Sequence, residues 1–244
     1  MRLHYDLHIH SCLSPCGDND MTPNNIVNMA RLAELDVIAL TDHNSCGNCA
    51  AAWRAAQEAG ILLLPGMELC TAEEAHVVCL FPDLPSALAF EERVIPTRPP
   101  VENRPDIFGD QLLLDELDNV VGSEPILLTT ASSVSVEEVL SLARSCGGTA
   151  FPAHIDRPSY SVTAALGDVP PVGFAAAEVT AAGDVDALRA QYPLIRDLPL
   201  LQSSDAHYLH QIQERGPWLE LPDASPETLI AALDGRIRCG WSRA

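Results

Sequence analysis

Short apolar runs alternate with helical stretches along most of this chain, and nearly every run ends at a histidine or a carboxylate. Leu3 to Ile9 alternates apolar and polar positions, the period of a strand, and ends where His8 and His10 project from one face. Val37 to Leu40 runs into Thr41-Asp42-His43, and a buried strand is expected at Ile61 to Leu64. Met67 to Cys70 holds Glu68, while Ala75 to Phe81 opens with His76. Thr149 to Ala153 delivers His154, Ala175 to Val179 reads as another strand, and Leu198 to Gln202 precedes Asp205 and His207. Ile237 to Cys239 is a candidate closing strand.

Helix signals fall between these runs. Thr22-Pro23 supplies an N-cap and a proline at the first helical position, predicting a helix to about Leu35. Ala50 to Ala59 is ended by Gly60, and Ser135-Val136-Glu137-Glu138 is a capping box whose helix closes at Gly147-Gly148. A last helix begins at Ser225-Pro226-Glu227. Strands alternating with helices define an α/β class, and polar groups gathered at strand ends suit a barrel whose loops converge on one mouth. The expected architecture is a single-domain (β/α) barrel with fewer regular units than eight.

Between Pro82 and Pro105 proline thickens and periodicity fades. Gln111 to Val121, with Asp118-Asn119 between two apolar runs, resembles a hairpin. Residues 92–133 are therefore expected to form an insertion or lid within the barrel.

The formal charge is −20, from 14 basic against 34 acidic side chains, and every basic one is arginine. Without lysine there is no side-chain Schiff base and no phosphate-loop lysine. An acidic surface repels the phosphate backbone, so long duplex nucleic acid is not expected as a partner. A small phosphorylated substrate drawn in by metal cations remains compatible with the charge. No run approaches the ~18 apolar residues of a membrane span, and the first residues lack a signal-peptide core, so no membrane partner and a cytoplasmic location are expected. The eight cysteines read as thiols. Cys12 and Cys16, followed by Cys46 and Cys49 in a C-x-x-C spacing, leave a four-thiolate zinc or iron-sulfur site conceivable.

Six of the eight histidines stand in the carboxylate-bearing segments, more donors than one ion can use. His8 and His10, two apart on a strand, can bind one ion while Ile9 packs the other way. Asp42 beside His43 serves either as a carboxylate orienting a ligand or as a partner of backbone amides. Glu68 follows Pro65-Gly66-Met67, and its oxygens have lone pairs enough to bridge two cations. His76, His154, Asp205 and His207 complete the donor set, while His4 and His210 are left to structural or surface roles. Zinc, manganese and iron all suit imidazole and carboxylate ligands.

This ordered set of motifs, from Asp6 to about Tyr208, resembles the PHP family of metal-dependent phosphoesterases, named for polymerase and histidinol phosphatase. The resemblance implies a distorted (β/α)7 barrel with two or three divalent metal ions at its mouth. It implies that His8, His10, Glu68 and Asp205 share one ion, that Glu68 bridges to a second held by His76 and His154, and that a third takes His43 and His207. The family's usual Ser-Asp-Gly, which supplies a further ligand to the third ion, is replaced here by Ser14-Pro15-Cys16-Gly17-Asp18. Asp18 is the expected substitute, with Asp20 and Cys16 as alternatives.

The expected chemistry is hydrolysis of a small phosphate ester, a nucleotide or similar phosphomonoester, by a hydroxide held between cations. Arg157, three residues after His154, is expected to clamp a phosphate oxygen, with a salt bridge to a carboxylate as its structural alternative. Asn44 and Ser161 are further candidates for the substrate pocket, and His207 for protonating the leaving oxygen. Two other readings remain: a 5′-to-3′ exonuclease on short oligonucleotides, and a metal-binding sensor or scaffold without turnover.

Overall fold

The computed structural model describes residues 1–242. Its elements in chain order are β1 (Arg2–Ile9), α1 (Pro23–Leu32), β2 (Val37–Leu40), α2 (Cys49–Ala59), β3 (Leu62–Cys70), β4 (His76–Leu80) and α3 (Leu84–Val94). There follow α4 (Pro105–Phe108), β5 (Leu112–Leu114), β6 (Val120–Ser123), α5 (Val136–Ser145), β7 (Thr149–Pro152) and α6 (Val162–Leu166). The last are β8 (Ala177–Glu178), α7 (Val185–Gln191), β9 (Leu200–Leu201), β10 (Trp218–Glu220), α8 (Pro226–Leu233) and β11 (Gly240–Trp241).

The main sheet has seven strands in the order β11-β10-β1-β2-β3-β4-β7. β1, β2 and β3 run parallel, whereas β4 is antiparallel to both β3 and β7. β8 and β9 form a separate parallel pair. That pair links the segment after β7 to the end of β1: Ile155 N–H donates to Glu178 O at 2.8 Å on one side, and His10 N–H donates to Ala206 O at 3.0 Å on the other. The result is a curled, partly open α/β barrel. A regular (β/α)7 alternation is absent, because β4 reverses direction and β8 and β9 are two residues long.

Side-chain period explains which face looks inward. Leu3, Tyr5 and Leu7 of β1 pack with Val37, Leu64, Val78 and Phe151 in the barrel interior, where Leu229, Ile230 and Leu233 of α8 close the bottom. Burying a leucine of this kind contributes roughly 1.5–3 kcal/mol. A register irregularity between Asp6 and Ile9 then turns the strand, so that Ile9 joins the outer core beneath α1 and α2 while His8 and His10 take the inward positions. The expected division of His-x-His from its intervening isoleucine is present, produced by this bulge.

The segments Ile61–Leu64 and Met67–Cys70 are one strand, β3. Its first half pairs with β2 as far as Pro65 and its second half pairs with β4 from Gly66 onward. Proline lacks an N–H, and here it stands where the strand exchanges one neighbour for another. A Cβ on Gly66 would lie 2.6 Å from Cys79 O, so this close approach requires glycine.

Residues 92–133 contain α4 and the antiparallel β5–β6 hairpin, and they brace the loop after β1. Leu112 N–H donates to Cys12 O at 2.9 Å, and Asn48 Nδ2 donates to Leu112 O at 3.0 Å while its Oδ1 accepts from Leu114 N–H. Gly109, at φ +101°, lies so close against Pro15 O that no Cβ would fit. Among the described residues no helix is long and apolar enough to cross a membrane.

Candidate metal centre

Five histidines converge on Glu68, and the hydrogen bonds behind them decide which nitrogens face it. His8 Nδ1 donates to Glu178 Oε1 at 3.0 Å and lies 3.2 Å from Oε2. His10 Nδ1 donates to Ser14 Oγ at 2.9 Å, and that hydroxyl donates onward to Asp42 Oδ1 at 2.7 Å. With the Nδ1 protons so placed, it is the two Nε2 atoms that face the cluster, 3.1 Å from each other. Glu68 Oε1 is 3.3 Å from His8 Nε2, and Asp205 Oδ1 is 3.3 and 3.1 Å from the His8 and His10 nitrogens. Lone pairs repel one another at such distances unless a cation or protons stand among them.

Beyond Glu68, His43 Nδ1 lies 2.9 Å from Oε2 and His76 Nδ1 lies 2.9 Å from Oε1. Both nitrogens and Oε2 are buried and out of line for a hydrogen bond, so all three are orphaned. His154 Nε2 stands 3.1 Å from Oε1. A buried polar atom without a partner is costly, and a set aimed at one volume fits a cation. His207 Nδ1 donates to Asp205 O at 2.8 Å, which leaves Nε2 as a donor, and its ring stacks on His10 with centroids 4.3 Å apart.

Three groups of donors are close enough to hold an ion: His8, His10, Glu68 and Asp205; His43, Glu68 and His76; and His10, His43 and His207. The first is the set implied by the resemblance. In the second, His43 takes the place expected for His154, although His154 remains beside Glu68. The third lacks Asp18, whose Oδ1 accepts from Asp20 N–H at 2.8 Å and so closes its own loop turn. Cys16, in that same loop, is exposed and joins none of the three groups.

Two substrate-pocket expectations also fail on geometry. Asn44 is buried; its Nδ2 donates to Leu128 O and Thr130 O at 2.7 and 2.8 Å, and its Oδ1 accepts from Cys70 N–H. Ser161 is the N-cap of α6, accepting from Ala164 N–H and donating to Arg157 O at 2.7 Å. Both fix loops around the mouth. Arg157 is at the mouth, 43% exposed, with Nη1 2.8 Å from Asp205 Oδ2, so its salt bridge is to a donor of the cluster itself.

Electrostatics follow the same geometry. Burial pushes the Glu68 carboxyl up, but His76, His8 and His43 outweigh it and hold the group well below the usual carboxylate range. Burial opposes protonation of His10, yet Asp205 and Glu68 raise it to about 9, and Glu68 raises His43 to about 9 against the same penalty. Burial and the neighbouring His10 lower His207 to about 3. In this arrangement the imidazole form of His207 is favoured, with its Nε2 lone pair turned away from the bond that Nδ1 makes to Asp205 O.

Glu178 escaped the sequence reading. It is 2% exposed, fixes His8 Nδ1, and also accepts from the His154 N–H at 3.2 Å. His154 has φ +29°, and Asp205 has φ +50°, left-handed conformations that side chains other than glycine hold only when their surroundings impose them. The available signal was a single carboxylate inside the apolar run Phe174 to Val179. Asp42 takes the second of its two expected roles and more, accepting from Ser11 N–H, Ser11 Oγ and Ser14 Oγ at 2.6–2.7 Å.

The cysteines do not assemble into a metal site. All eight are free; Cys46 and Cys49 share Gly66 O as acceptor at 3.2 and 3.5 Å, and no described cysteine joins a metal-capable group. His4 Nδ1 pairs with Gly216 O at 2.8 Å, a structural contact.

The PHP domain family model matches residues 6–147. A 5′-3′ exoribonuclease of Haemophilus influenzae is 38% identical over 79 residues, 31% of this chain and 28% of that protein. A 3′,5′-nucleoside bisphosphate phosphatase of Chromobacterium violaceum is 37% identical over 73 residues, 30% of this chain and 25% of that protein. Among solved structures, a lesion-specific endonuclease from Pyrococcus furiosus superposes with a TM-score of 0.70 at 20% identity, covering 99% of this chain and 58% of that one. A complex of endonuclease Q with a 27-mer duplex carrying an abasic lesion gives the same TM-score and identity, with 98% and 58% covered. This chain therefore spans less than two thirds of each of these relatives. The duplex complex overturns the expectation that long duplex nucleic acid is excluded: a chain of this fold holds one. Net charge is a sum over the whole surface, whereas a duplex meets one local face and its cations.

Proposed function

The chain belongs to the PHP domain family, and from that premise we propose that it is a metal-dependent phosphoesterase acting on a nucleotide-type phosphate ester. The observation that carries this reading is the 3.1 Å approach of the His8 and His10 Nε2 atoms beside Glu68 and Asp205, a donor set that fits a cation once its protons are released. His8, His10, Glu68 and Asp205 would hold one ion; Glu68, His43 and His76, with His154 adjacent, a second; and His10, His43 and His207 a third. When bound, divalent ions such as zinc, manganese or iron lower the pKa of a water toward ~7 and neutralise charge on phosphoryl oxygens.

The chain's own groups supply orientation. Arg157 reaches the mouth from the solvent side, and one edge of its guanidinium lies on Asp205 while the side chain remains 43% exposed. Its free donors can take a phosphate oxygen in the fork geometry that arginine offers. Glu178 and the Ser14–Asp42 pair hold His8 and His10 in one tautomer, so that no reorganisation is needed when the substrate arrives. The named activities of the relatives, a bisphosphate phosphatase, an exoribonuclease and a lesion-specific endonuclease, all break phosphoester bonds of nucleotides, which supports the substrate class.

The test is a panel of nucleoside 3′,5′-bisphosphates and 5′-phosphorylated oligonucleotides incubated with metal-loaded protein. Inorganic phosphate as product identifies a phosphatase, and mononucleotides identify an exonuclease. Absence of both products, and of cleavage of a duplex carrying an abasic lesion, with metal bound, would replace the reading with that of a metal-binding sensor or scaffold.

A further inference from the structure

The loop from His154 to Ser161 carries two half-exposed side chains of complementary chemistry at the edge of the cluster. One is the Arg157 guanidinium, and the other is the phenol ring of Tyr160, 52% exposed. Tyr160 lies over His76, with ring centroids 4.9 Å apart and planes inclined by 26°. That contact occupies one face of the ring, and the exposure indicates that much of the remainder is open to solvent. Its backbone is at φ +54°, the left-handed region, which a bulky aromatic residue rarely adopts.

The strain is imposed from both sides. His76 N–H donates to Tyr160 O at 2.9 Å, and the next residue, Ser161, is held as the α6 N-cap and by its bond to Arg157 O. The loop thus presents a flat aromatic surface beside a candidate ligand, where an apolar side chain or a glycine would satisfy the fold alone. Every nucleobase has a π-face that stacks on such a surface, and a phosphate at the cluster brings its own base within reach of the rim.

We propose that Tyr160 is a specificity-determining residue: its ring is the platform on which the nucleobase of the substrate stacks while Arg157 and the cluster take the phosphate. The proposal rests on the phosphoesterase reading above. It predicts a preference for phosphates attached to a base over phosphates of bare sugars.

Equilibrium binding separates the two. The probes are an analogue of adenosine 5′-phosphate with the ester oxygen replaced by a methylene group, which cannot be hydrolysed there, and the matching analogue of ribose 5-phosphate. Titration calorimetry on metal-loaded protein is expected to give an adenosine analogue bound about tenfold more tightly than the ribose analogue. Tyr160→Phe should keep that ratio. Tyr160→Ala should bring it close to one with ribose binding and metal content unchanged, and Tyr160→Gly, which relieves the left-handed strain, should do the same in a backbone that fits it. No preference in the unaltered protein would overturn the proposal and leave the phosphoesterase reading standing. So would equal weakening of both analogues in Tyr160→Ala and Tyr160→Gly, which would make the ring a cover for His76. Failure of both analogues to bind the unaltered protein would overturn both readings together.

Discussion

His8 and Arg157 reach the same carboxylate, Asp205, from opposite sides and under opposite constraints. His8 is fully buried, its Nδ1 fixed by Glu178 and its Nε2 3.3 Å from Asp205 Oδ1. Arg157 is half in solvent and meets Asp205 Oδ2 at 2.8 Å, the one ion pair it makes among the described residues. The floor of the mouth is held by bonds that reach back into the barrel, whereas the rim is held by its own loop, which Asp156 ties to Thr180, and by the contact of Arg157 with Asp205. A buried donor set keeps its geometry whichever substrate arrives, and an exposed rim can change side chains without disturbing it. The proposed reading assigns chemistry to the floor and selection to the rim, a division that substitutions at each level can break.

The largest effect is expected at the centre of the floor. Glu68→Gln removes the negative charge shared by five imidazoles, and the protein should lose at least one bound ion and more than about 100-fold in activity while its circular dichroism is retained. Unchanged metal content in that variant would remove Glu68 from the centre of the account. One layer out, Glu178→Gln should lower metal affinity by about 10–100-fold, measured by competition with a chromophoric chelator, because the amide no longer fixes His8 as the carboxylate does. A loss of thermal stability with metal affinity intact would make Glu178 a strut between β7 and β8 and nothing more.

Protonation offers a smaller, graded probe of the same floor. In the metal-free protein His10 and His43 are raised to about 9, so at pH 7 they carry protons that a metal ion must displace. Apparent metal affinity should therefore rise with pH, by up to about tenfold per unit for each proton released, and level off above about pH 9. Equilibrium dialysis from pH 6 to 9.5 reads this directly, and a flat profile would mean that the donors are already free. At the rim, Arg157→Ala should raise KM by about tenfold with metal content unchanged. A fall in metal content instead would assign Arg157 to holding Asp205.

Much of the floor was legible because strand period and donor type coincide. His8 and His10 two apart, His43 after a short apolar run, Glu68, His76, His154, and Asp205 with His207 all reach the cluster. Helix starts were legible where a cap is written in the sequence, as at Thr22-Pro23, Ser135 to Glu138 and Ser225-Pro226. What escaped depends on contacts remote in sequence. Glu178 meets His8 across 170 positions, and no local pattern announces that. Asp18 has the right charge, but its Oδ1 accepts from Asp20 N–H and it joins none of the three donor groups. α3 was hidden by Pro82 just before it and Pro85 within it, although Asp83 caps it through Ser86 N–H and Pro85 sits in the first turn, where proline is tolerated. β10 follows Gly216-Pro217 and is too short for period to reveal, yet it pairs with β1.

The claim on which the rest depends is that cations occupy the space around Glu68. Anomalous diffraction at the metal edge, from crystals grown with manganese or zinc, tests it most directly. The account predicts one peak bounded by His8, His10, Glu68 and Asp205 and a second beyond Glu68 toward His43 and His76. An ordered cluster with no peak within bonding distance of Glu68 would contradict it.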